Sequence, residues 1–264
     1  MSFDAARVAE HLHATRAART PAGPLPAGTA PATIAEGIAA QHALARRWGA
    51  IPPAGFKIGA TTTWMQGYLG LPGPAAGFMR ADAIHRGPAV LAWANYRNPG
   101  VECEIAVRLA HDLPPGPCTP EQAAAAVGEV CAAIEIVENR YGPPPMGDLK
   151  AVGTPTLIAD QVFHAACVLA APPANWRAMD LGAVQGRFLI DGVEKASGHG
   201  RDLLGHPMQA LAWLAASAEV AAFGGLRAGQ VVMLGSVTPP LWLDAPCTVT
   251  ALFDGFAPAE IRFV

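Results

Sequence analysis

The sequence predicts an α+β fold: a mixed β-roll or sandwich core with covering helices, preceded by a helical N-terminal segment. Helical patterns dominate the first 50 residues, whereas short, alternating, β-branched stretches dominate the rest of the chain. These stretches do not alternate regularly with helices, which disfavours a doubly wound parallel sheet. We therefore predict a helical segment over residues 1–50 and a β-rich domain over residues 51–264.

The helices are predicted from periodicity and from capping patterns. Residues 3–19 have an amphipathic pattern, and a loop rich in proline and glycine follows them. Thr33 begins a T-x-x-E capping box, after which apolar residues recur at helical spacing to about Trp48. A T-x-x-Q box at Thr119 predicts another helix along the run AAAAVGEVC. The apolar run over residues 207–224 predicts a core helix and not a membrane span, because polar side chains interrupt it.

The strands are predicted from alternation and from turn residues. Residues 101–109 (VECEIAVRL) and 132–138 (AAIEIVE) are short, alternating and rich in β-branched side chains. Asp191 and Gly192 stand between two extended stretches, which is a strong pattern for a two-residue hairpin. The last third of the chain adds three more predicted strands, in QVVMLGSV, APCTVTALF and AEIRFV.

Composition limits the classes of partner. The chain has 264 residues, a net charge of −3 and 15% charged residues, so it lacks the basic stripe that nucleic acids require. Its five cysteines form no C-x-x-C pair and are typical of reduced core residues in the cytoplasm. Asp4 and Glu10 interrupt the apolar stretch that a signal peptide needs. We expect a cytoplasmic protein with no nucleic-acid or membrane partner.

Three glutamates on predicted strands are candidate metal ligands. Glu102 and Glu104 are two residues apart and therefore share one face of a strand. That pattern is also typical of a half-exposed strand with its polar row in water. Glu135 is different, because it lies between Ile134 and Ile136 and a buried carboxylate needs a cation or donors nearby. Together the three could form an oxygen-rich site for Mg²⁺ or Mn²⁺.

Lys57 is the candidate proton carrier. It lies in GFKIGA between Phe56 and Ile58, and it is one of three lysines in the chain. A desolvated lysine loses its proton more readily, which suits proton transfer near neutral pH. The alternative is a lysine at a strand end that extends its ammonium group into water.

A turn after a predicted apolar strand supplies two hydroxyl groups. Ser236 and Thr238 in LGSVTPP could donate hydrogen bonds to a ligand carboxylate, and ordinary turn chemistry explains them equally well. The segment is not a G-x-S-x-G nucleophile motif, because the second glycine is absent. The histidines form no H-x-x-x-H pair, so the sequence gives no support for a zinc site.

Several segments together resemble the 2-keto-4-pentenoate hydratase and 4-oxalocrotonate decarboxylase group of the fumarylacetoacetate hydrolase superfamily. They match that group in order and spacing over roughly residues 33–264. The most specific are the K-I-G segment, the E-x-E strand and the E-I-V-x-x-R strand. The matching segments are GFKIGATTTWMQGYLGLPGPAAGFM, VECEIAVRLAHDLP, AAIEIVENRY, LIADQVFHAACVLA, GHPMQALAWLA and LRAGQVVMLGSVTPP.

The resemblance implies roles for particular residues. It implies that Glu102, Glu104 and Glu135 bind a divalent metal, Mg²⁺ or Mn²⁺, and that Lys57 is catalytic. It also implies that the β-rich domain is the catalytic domain and that the substrate pocket lies near the segment ADQ, where the group usually has Ala-Asp-Asn. The candidate substrate-binding residues are Asp160, Gln161, Ser236 and Thr238.

The resemblance further implies a lyase that hydrates a small unsaturated 2-oxo or 2-hydroxy acid. The type reaction converts 2-hydroxypenta-2,4-dienoate to 4-hydroxy-2-oxopentanoate through an enolate that the metal stabilises. Decarboxylation of a 2-oxo diacid and C–C hydrolysis of an acylpyruvate use the same enolate and stay open, as does a non-catalytic structural partner of a related enzyme. Apolar residues near the K-I-G segment favour a short monoacid; they are Phe56, Trp64, Met65, Phe78 and Met79. We expect a homo-oligomer.

Overall fold

The computed structural model of the chain describes residues 3–26, 28–142 and 149–264. The α-helices among these residues are α1 (Ala5–Ala17), α2 (Ile34–Arg47), α3 (Thr63–Leu69), α4 (Pro120–Ala126), α5 (Leu149–Val152), α6 (Thr154–Ala159), α7 (Pro207–Ala215) and α8 (Ala218–Ala222). The strands are β1 (Gly55–Gly59), β2 (Ala75–Met79), β3 (Ile84–Arg86), β4 (Ala89–Leu91), β5 (Pro99–Leu109), β6 (Val127–Glu138), β7 (His164–Leu169), β8 (Gln185–Ile190), β9 (Val193–His199), β10 (Val231–Ser236), β11 (Leu241–Trp242), β12 (Thr248–Phe253) and β13 (Ala259–Phe263).

The strands form two mixed sheets. The larger sheet has the order β2-β1-β10-β5-β6-β7-β3, and the short strand β11 pairs with one end of β5. The smaller sheet has the order β4-β13-β12-β8-β9. The pairs β1/β10, β3/β7 and β4/β13 are parallel, whereas β5, β6 and β7 are antiparallel neighbours. Helices cover these sheets, so the predicted α+β fold is confirmed.

The two N-terminal helices pack onto the same apolar core as the sheets. Thr33 and Glu36 form the predicted capping box of α2. Leu12 of α1 and Leu44 of α2 are fully buried and belong to one apolar cluster with Phe56 of β1. Burial of these side chains stabilises the helices against the strands, because isolated helices of this length are marginal in water.

Two predicted helices differ from the observed ones. The helix that begins after Thr119 ends at Ala126, because β6 starts at Val127 and pairs with β5 along its length. The apolar run over residues 207–224 forms two helices, because the Ser217 hydroxyl accepts a hydrogen bond from the backbone N–H of Val220 and caps α8. Within the described ranges, no helix is both long enough and apolar enough to cross a membrane.

The hairpin predicted at Asp191 and Gly192 is confirmed. These residues join β8 to β9 and have φ values of +49° and +78°. Positive φ at both central positions is the requirement of the type I′ turn, and aspartate followed by glycine meets it with little strain.

Candidate active site

The antiparallel pair β5/β6 brings three glutamates together. Glu102 lies directly opposite Glu135 in the strand register, and Glu104 is two residues along on the same face as Glu102. One carboxylate oxygen from each residue lies within 4.8 Å of those of the other two. Glu104 and Glu135 are fully buried, and Glu102 is partly exposed. The sequence therefore predicted a group of residues that the sheet does place together.

Among the described residues, each of the two fully buried carboxylates has one oxygen with a hydrogen-bond partner and one without. Glu104 Oε2 accepts a hydrogen bond of 2.9 Å from the backbone N–H of Gly235. Glu135 Oε1 lies 2.7 Å from Nδ1 of His164 and 3.8 Å from Nζ of Lys57. In the described part of the chain, Glu104 Oε1 and Glu135 Oε2 are buried and meet no N–H or hydroxyl donor. Buried carboxylate oxygens without donors are unfavourable unless a cation or water binds them, and three carboxylates suit a hard divalent cation.

The pKa values of the three carboxyl groups also indicate a site for a cation. Burial raises the pKa of Glu102 to about 8, and the negative charge of Glu135 adds to this effect. Burial, and then the charges of Glu135 and Glu102, raise the pKa of Glu104 well above its ordinary value. Burial alone would raise the pKa of Glu135 as well, but Lys57 and the hydrogen bond with His164 bring it below its ordinary value. A divalent cation would supply the positive charge that Glu102 and Glu104 need to ionise near neutral pH.

Lys57 lies beside this carboxylate group on β1. Its side chain is buried, and its ammonium group donates a hydrogen bond of 2.6 Å to the carbonyl oxygen of Val162. The ammonium group therefore does not extend into water, and that alternative is wrong. A Cβ atom on Gly59 would lie 3.1 Å from Lys57 Nζ, so the glycine leaves the room that the ammonium group occupies.

A strained turn at residues 161–163 positions one contact of Lys57 and one contact of Glu135. Gln161, Val162 and Phe163 have φ values of +63°, +47° and +69°, although none of them is glycine. The left-handed region costs about 1–2 kcal/mol for each such residue, so the surrounding structure must hold the turn in place. The turn directs the Val162 carbonyl to Lys57 and is followed by His164, whose ring contacts Glu135.

Lys57 and Glu102 line a small cavity of about 30 Å³. Apolar side chains form most of its remaining wall, namely Met65, Leu69, Val137, Phe163, Pro240 and Trp242. Of the apolar residues that favoured a monoacid, Met65 lines this cavity, Phe56, Phe78 and Met79 are buried in the core, and Trp64 is 70% exposed. Among the described residues, the wall of this cavity is therefore mostly apolar, and Lys57 and Glu102 are its charged members.

The candidate substrate-binding residues lie apart from this cavity. Asp160 is buried and binds Nε of Arg16 at 2.9 Å, the guanidinium group of Arg140, and the hydroxyl group of Tyr141 at 2.6 Å. Burial alone would raise the pKa of Asp160, but Arg140 and Arg16 bring it below its ordinary value. Gln161 is buried beside Gly77 in the strained turn. Their part in substrate binding stays a prediction.

The Ser236 hydroxyl binds the backbone of Cys103 and Thr238, and it lies 3.5 Å from the Thr238 hydroxyl. The Ser236 hydroxyl accepts hydrogen bonds from the N–H groups of Cys103 (3.1 Å) and Thr238 (3.3 Å) and donates one to the carbonyl oxygen of Cys103 (3.3 Å). These bonds hold the turn after β10 against β5, which is an ordinary structural role for hydroxyl side chains in turns. A role in substrate binding is untested for these two residues as well.

Three contributors to the site were not predicted. They are His164 beside Glu135, the Val162 carbonyl beside Lys57, and Trp242 on the cavity wall. His164 and Val162 lie in the segment LIADQVFHAACVLA, but no metal-ligand spacing distinguished the histidine, and a backbone carbonyl has no signature in the sequence. A cation or a hydrogen-bond donor beside the buried Glu135 was expected, and only the folded chain identifies the cation as Lys57 and the hydrogen-bond partner as His164.

The mixed-sheet fold places a buried lysine beside a group of three carboxylates, an arrangement that can support acid–base and metal-assisted chemistry. Residues 66–264 match the family described as fumarylacetoacetate (FAA) hydrolase C-terminal. Because the match covers most of the sequence, the chain belongs to the fumarylacetoacetate hydrolase family, and the predicted resemblance is confirmed.

Relatives from two organisms and one solved structure are similar to this chain. It is 32% identical to a 2-keto-4-pentenoate hydratase from Burkholderia vietnamiensis over 209 residues, which is 79% of this chain and 77% of the relative. It is 31% identical, with the same coverage, to a 2-hydroxyhexa-2,4-dienoate hydratase from Comamonas testosteroni. The structure of 4-oxalocrotonate decarboxylase from Pseudomonas putida G7, complexed with magnesium and adipate, aligns with a TM-score of 0.86 at 22% identity, covering 98% of this chain and 97% of that one. The chain is an enzyme similar to the 2-keto-4-pentenoate hydratases, which are hydro-lyases.

Proposed function

We propose that this enzyme is a divalent-metal-dependent hydratase of a small unsaturated 2-oxo or 2-hydroxy acid, of the 2-hydroxypenta-2,4-dienoate type. The observation that carries the proposal is the set of three carboxylates, two of them fully buried, next to Lys57 at a small apolar cavity. Hydratases of such acids at 31–32% identity support the same reaction class.

Glu102, Glu104 and Glu135 would hold Mg²⁺ or Mn²⁺. The donor-free oxygens of Glu104 and Glu135, and the raised pKa values of Glu102 and Glu104, support this assignment. When bound, the ion would act as a Lewis acid on the carboxylate and the 2-oxygen of the substrate. His164 fixes one oxygen of Glu135 and thereby orients the carboxylate, because outer hydrogen bonds set the direction of a metal ligand.

Lys57 would transfer the proton at its Nζ atom. The Val162 carbonyl takes one of the three ammonium hydrogens and thereby fixes the direction of the group. The cavity wall around Lys57 excludes bulk water, which strengthens the interaction of its charge with a substrate anion. Positioned acids and bases of this kind contribute rate factors of about 10²–10⁴.

The cavity wall favours a monoacid over a diacid. A second carboxylate would need a cation or several donors to replace the water that it loses on entry. Among the described residues that line the cavity, Lys57 and Glu102 are the ones with charged side chains, and most of the others are apolar. The uncharged end of a pentadienoate matches this wall without any such partner.

The test is a direct comparison of hydration and decarboxylation. The protein is treated with chelator, reloaded with Mg²⁺ or Mn²⁺, and assayed with 2-hydroxypenta-2,4-dienoate, with a 2-oxohexenedioate and with an acylpyruvate. We expect chelation to abolish activity, the metal to restore it, and kcat/KM to be higher for hydration of the dienoate. Faster release of carbon dioxide from the diacid would instead assign a decarboxylase, and cleavage of an acylpyruvate faster than either would assign a C–C hydrolase.

A further inference from the structure

Two residues, Pro240 and Trp242, line both the cavity beside Lys57 and a much larger surface cleft. The cleft has a volume of about 530 Å³ and is lined by Ile190, Lys195 and the segment 240–247. The cavity has a volume of about 30 Å³. Trp242 is partly exposed. Trp242 has the larger side chain of the two shared residues.

The fold holds Trp242 against the strand that carries Glu102. Trp242 belongs to the short strand β11 and pairs with Gly100 of β5, two residues before Glu102. A Cβ atom at residue 100 would lie 2.9 Å from Cε3 and 3.0 Å from Cζ3 of the indole ring, so glycine allows the ring to pack on the strand. The backbone N–H of Leu243 then donates a hydrogen bond of 3.0 Å to the carbonyl oxygen of Pro99. These contacts fix the distance between the ring and the carboxylate group.

We propose that Trp242 is the specificity-determining residue that limits the length of the substrate chain. The inference rests on the proposed function, because it requires a 2-oxo acid bound at Lys57 and the glutamates. The polar end of that acid is fixed there, so each added methylene brings the other end closer to the indole ring. A chain longer than the cavity must displace the ring, together with its packing on Gly100.

Removal of the indole ring should change the affinity for short acids and for long acids in opposite directions. In Trp242→Ala the cavity would open into the cleft, so a long chain could extend past residue 242 along apolar residues such as Leu241 and Leu243. A short acid would lose apolar contact with the ring. Burial of one methylene raises affinity by about fourfold. In Trp242→Ala, an acid with three more methylenes could therefore gain up to about 60-fold in affinity.

The experiment measures binding and does not depend on turnover. Isothermal titration calorimetry with Mg²⁺-loaded protein would compare four saturated 2-oxo acids: 2-oxobutanoate, 2-oxopentanoate, 2-oxohexanoate and 2-oxooctanoate. We expect wild type to bind 2-oxooctanoate at least tenfold more weakly than 2-oxopentanoate. In Trp242→Ala this preference should disappear or reverse, while Trp242→Phe should keep the preference for short acids.

Leu243→Ala is the matched control, because Leu243 lines the cleft and is not among the described residues that line the cavity. It should keep the wild-type dependence on chain length. If Trp242→Ala does not fold, Trp242→Leu shortens the same wall by a smaller amount and should bind 2-oxooctanoate more tightly than wild type does. The same dependence on chain length in wild type and in the folded wall variant would overturn the assignment of Trp242 and leave the proposed function intact. Failure of all four acids to bind either protein would overturn the proposed function, and the inference with it.

Discussion

Asp160 should contribute strongly to stability, and Asp160→Asn tests this directly. The carboxylate of Asp160 is buried between Arg16, Arg140 and Tyr141, and the side chains of Arg16 and Arg140 are only 16% and 2% exposed. Asparagine has nearly the same size as aspartate but no charge. The substitution therefore leaves the guanidinium group of Arg140 buried without its counter-charge.

The expected loss follows from that burial. Removing one partner of a buried ion pair lowers the free energy of unfolding by about 3–5 kcal/mol. For a domain of this size each kcal/mol corresponds to about 2–4 °C, so Tm should fall by roughly 6–20 °C. The pKa of Asp160 is lowered in the folded state, so its contribution is present above its unfolded pKa and is lost as pH falls through the lower, folded value. At pH 7 the full contribution is therefore measured.

Urea unfolding at pH 7, followed by circular dichroism and tryptophan fluorescence, measures the change. Asp254→Asn is the matched control, because Asp254 pairs with Arg187 at the surface, where the side chains are 59% and 42% exposed. Such exposed pairs contribute about 0–1 kcal/mol. A loss below about 1 kcal/mol in Asp160→Asn would refute the argument from burial. A raised KM with unchanged stability would support the substrate-binding role that the sequence predicts for Asp160.

Three further predictions concern the metal and Lys57. Glu104→Gln should weaken Mg²⁺ or Mn²⁺ binding at least tenfold in a calorimetric titration, because it removes a ligand charge. Glu129→Gln, in the partly exposed pair with Arg108, should bind the metal as wild type does. Equal affinity in both variants would contradict the assignment. Metal affinity should rise from pH 6 to pH 8, and binding should release protons. The reason is that burial raises the pKa of Glu102 to about 8, and a carboxylate must be ionised to bind the metal. Affinity that is independent of pH would argue against Glu102 as a ligand. Lys57→Met should lower turnover by about 10² or more without weakening metal binding, and full activity would exclude Lys57 as the proton carrier.

Local patterns in the sequence determined the secondary structure and part of the site. The capping box at Thr33, the hairpin at Asp191 and the shared face of Glu102 and Glu104 depend on residues that are one to three positions apart. Over such distances the backbone geometry is nearly fixed by the kind of element, so the pattern is sufficient. The same short-range rules failed at Ala126, where pairing of Val127 with β5 ended a helix that the sequence alone would extend.

Tertiary structure decided which partners the buried charged groups have. Lys57 contacts the carbonyl of Val162, which is 105 positions away, and Arg16 of the first helix binds Asp160, which is 144 positions away. The register of β5 and β6 places Glu135 opposite Glu102, and a shift of one residue would direct Glu135 to the other face of the sheet. Register and long-range contacts are set by the packing of the whole core, where many weak apolar contacts act together. A local sequence pattern cannot predict them, because it covers only residues that are close along the chain.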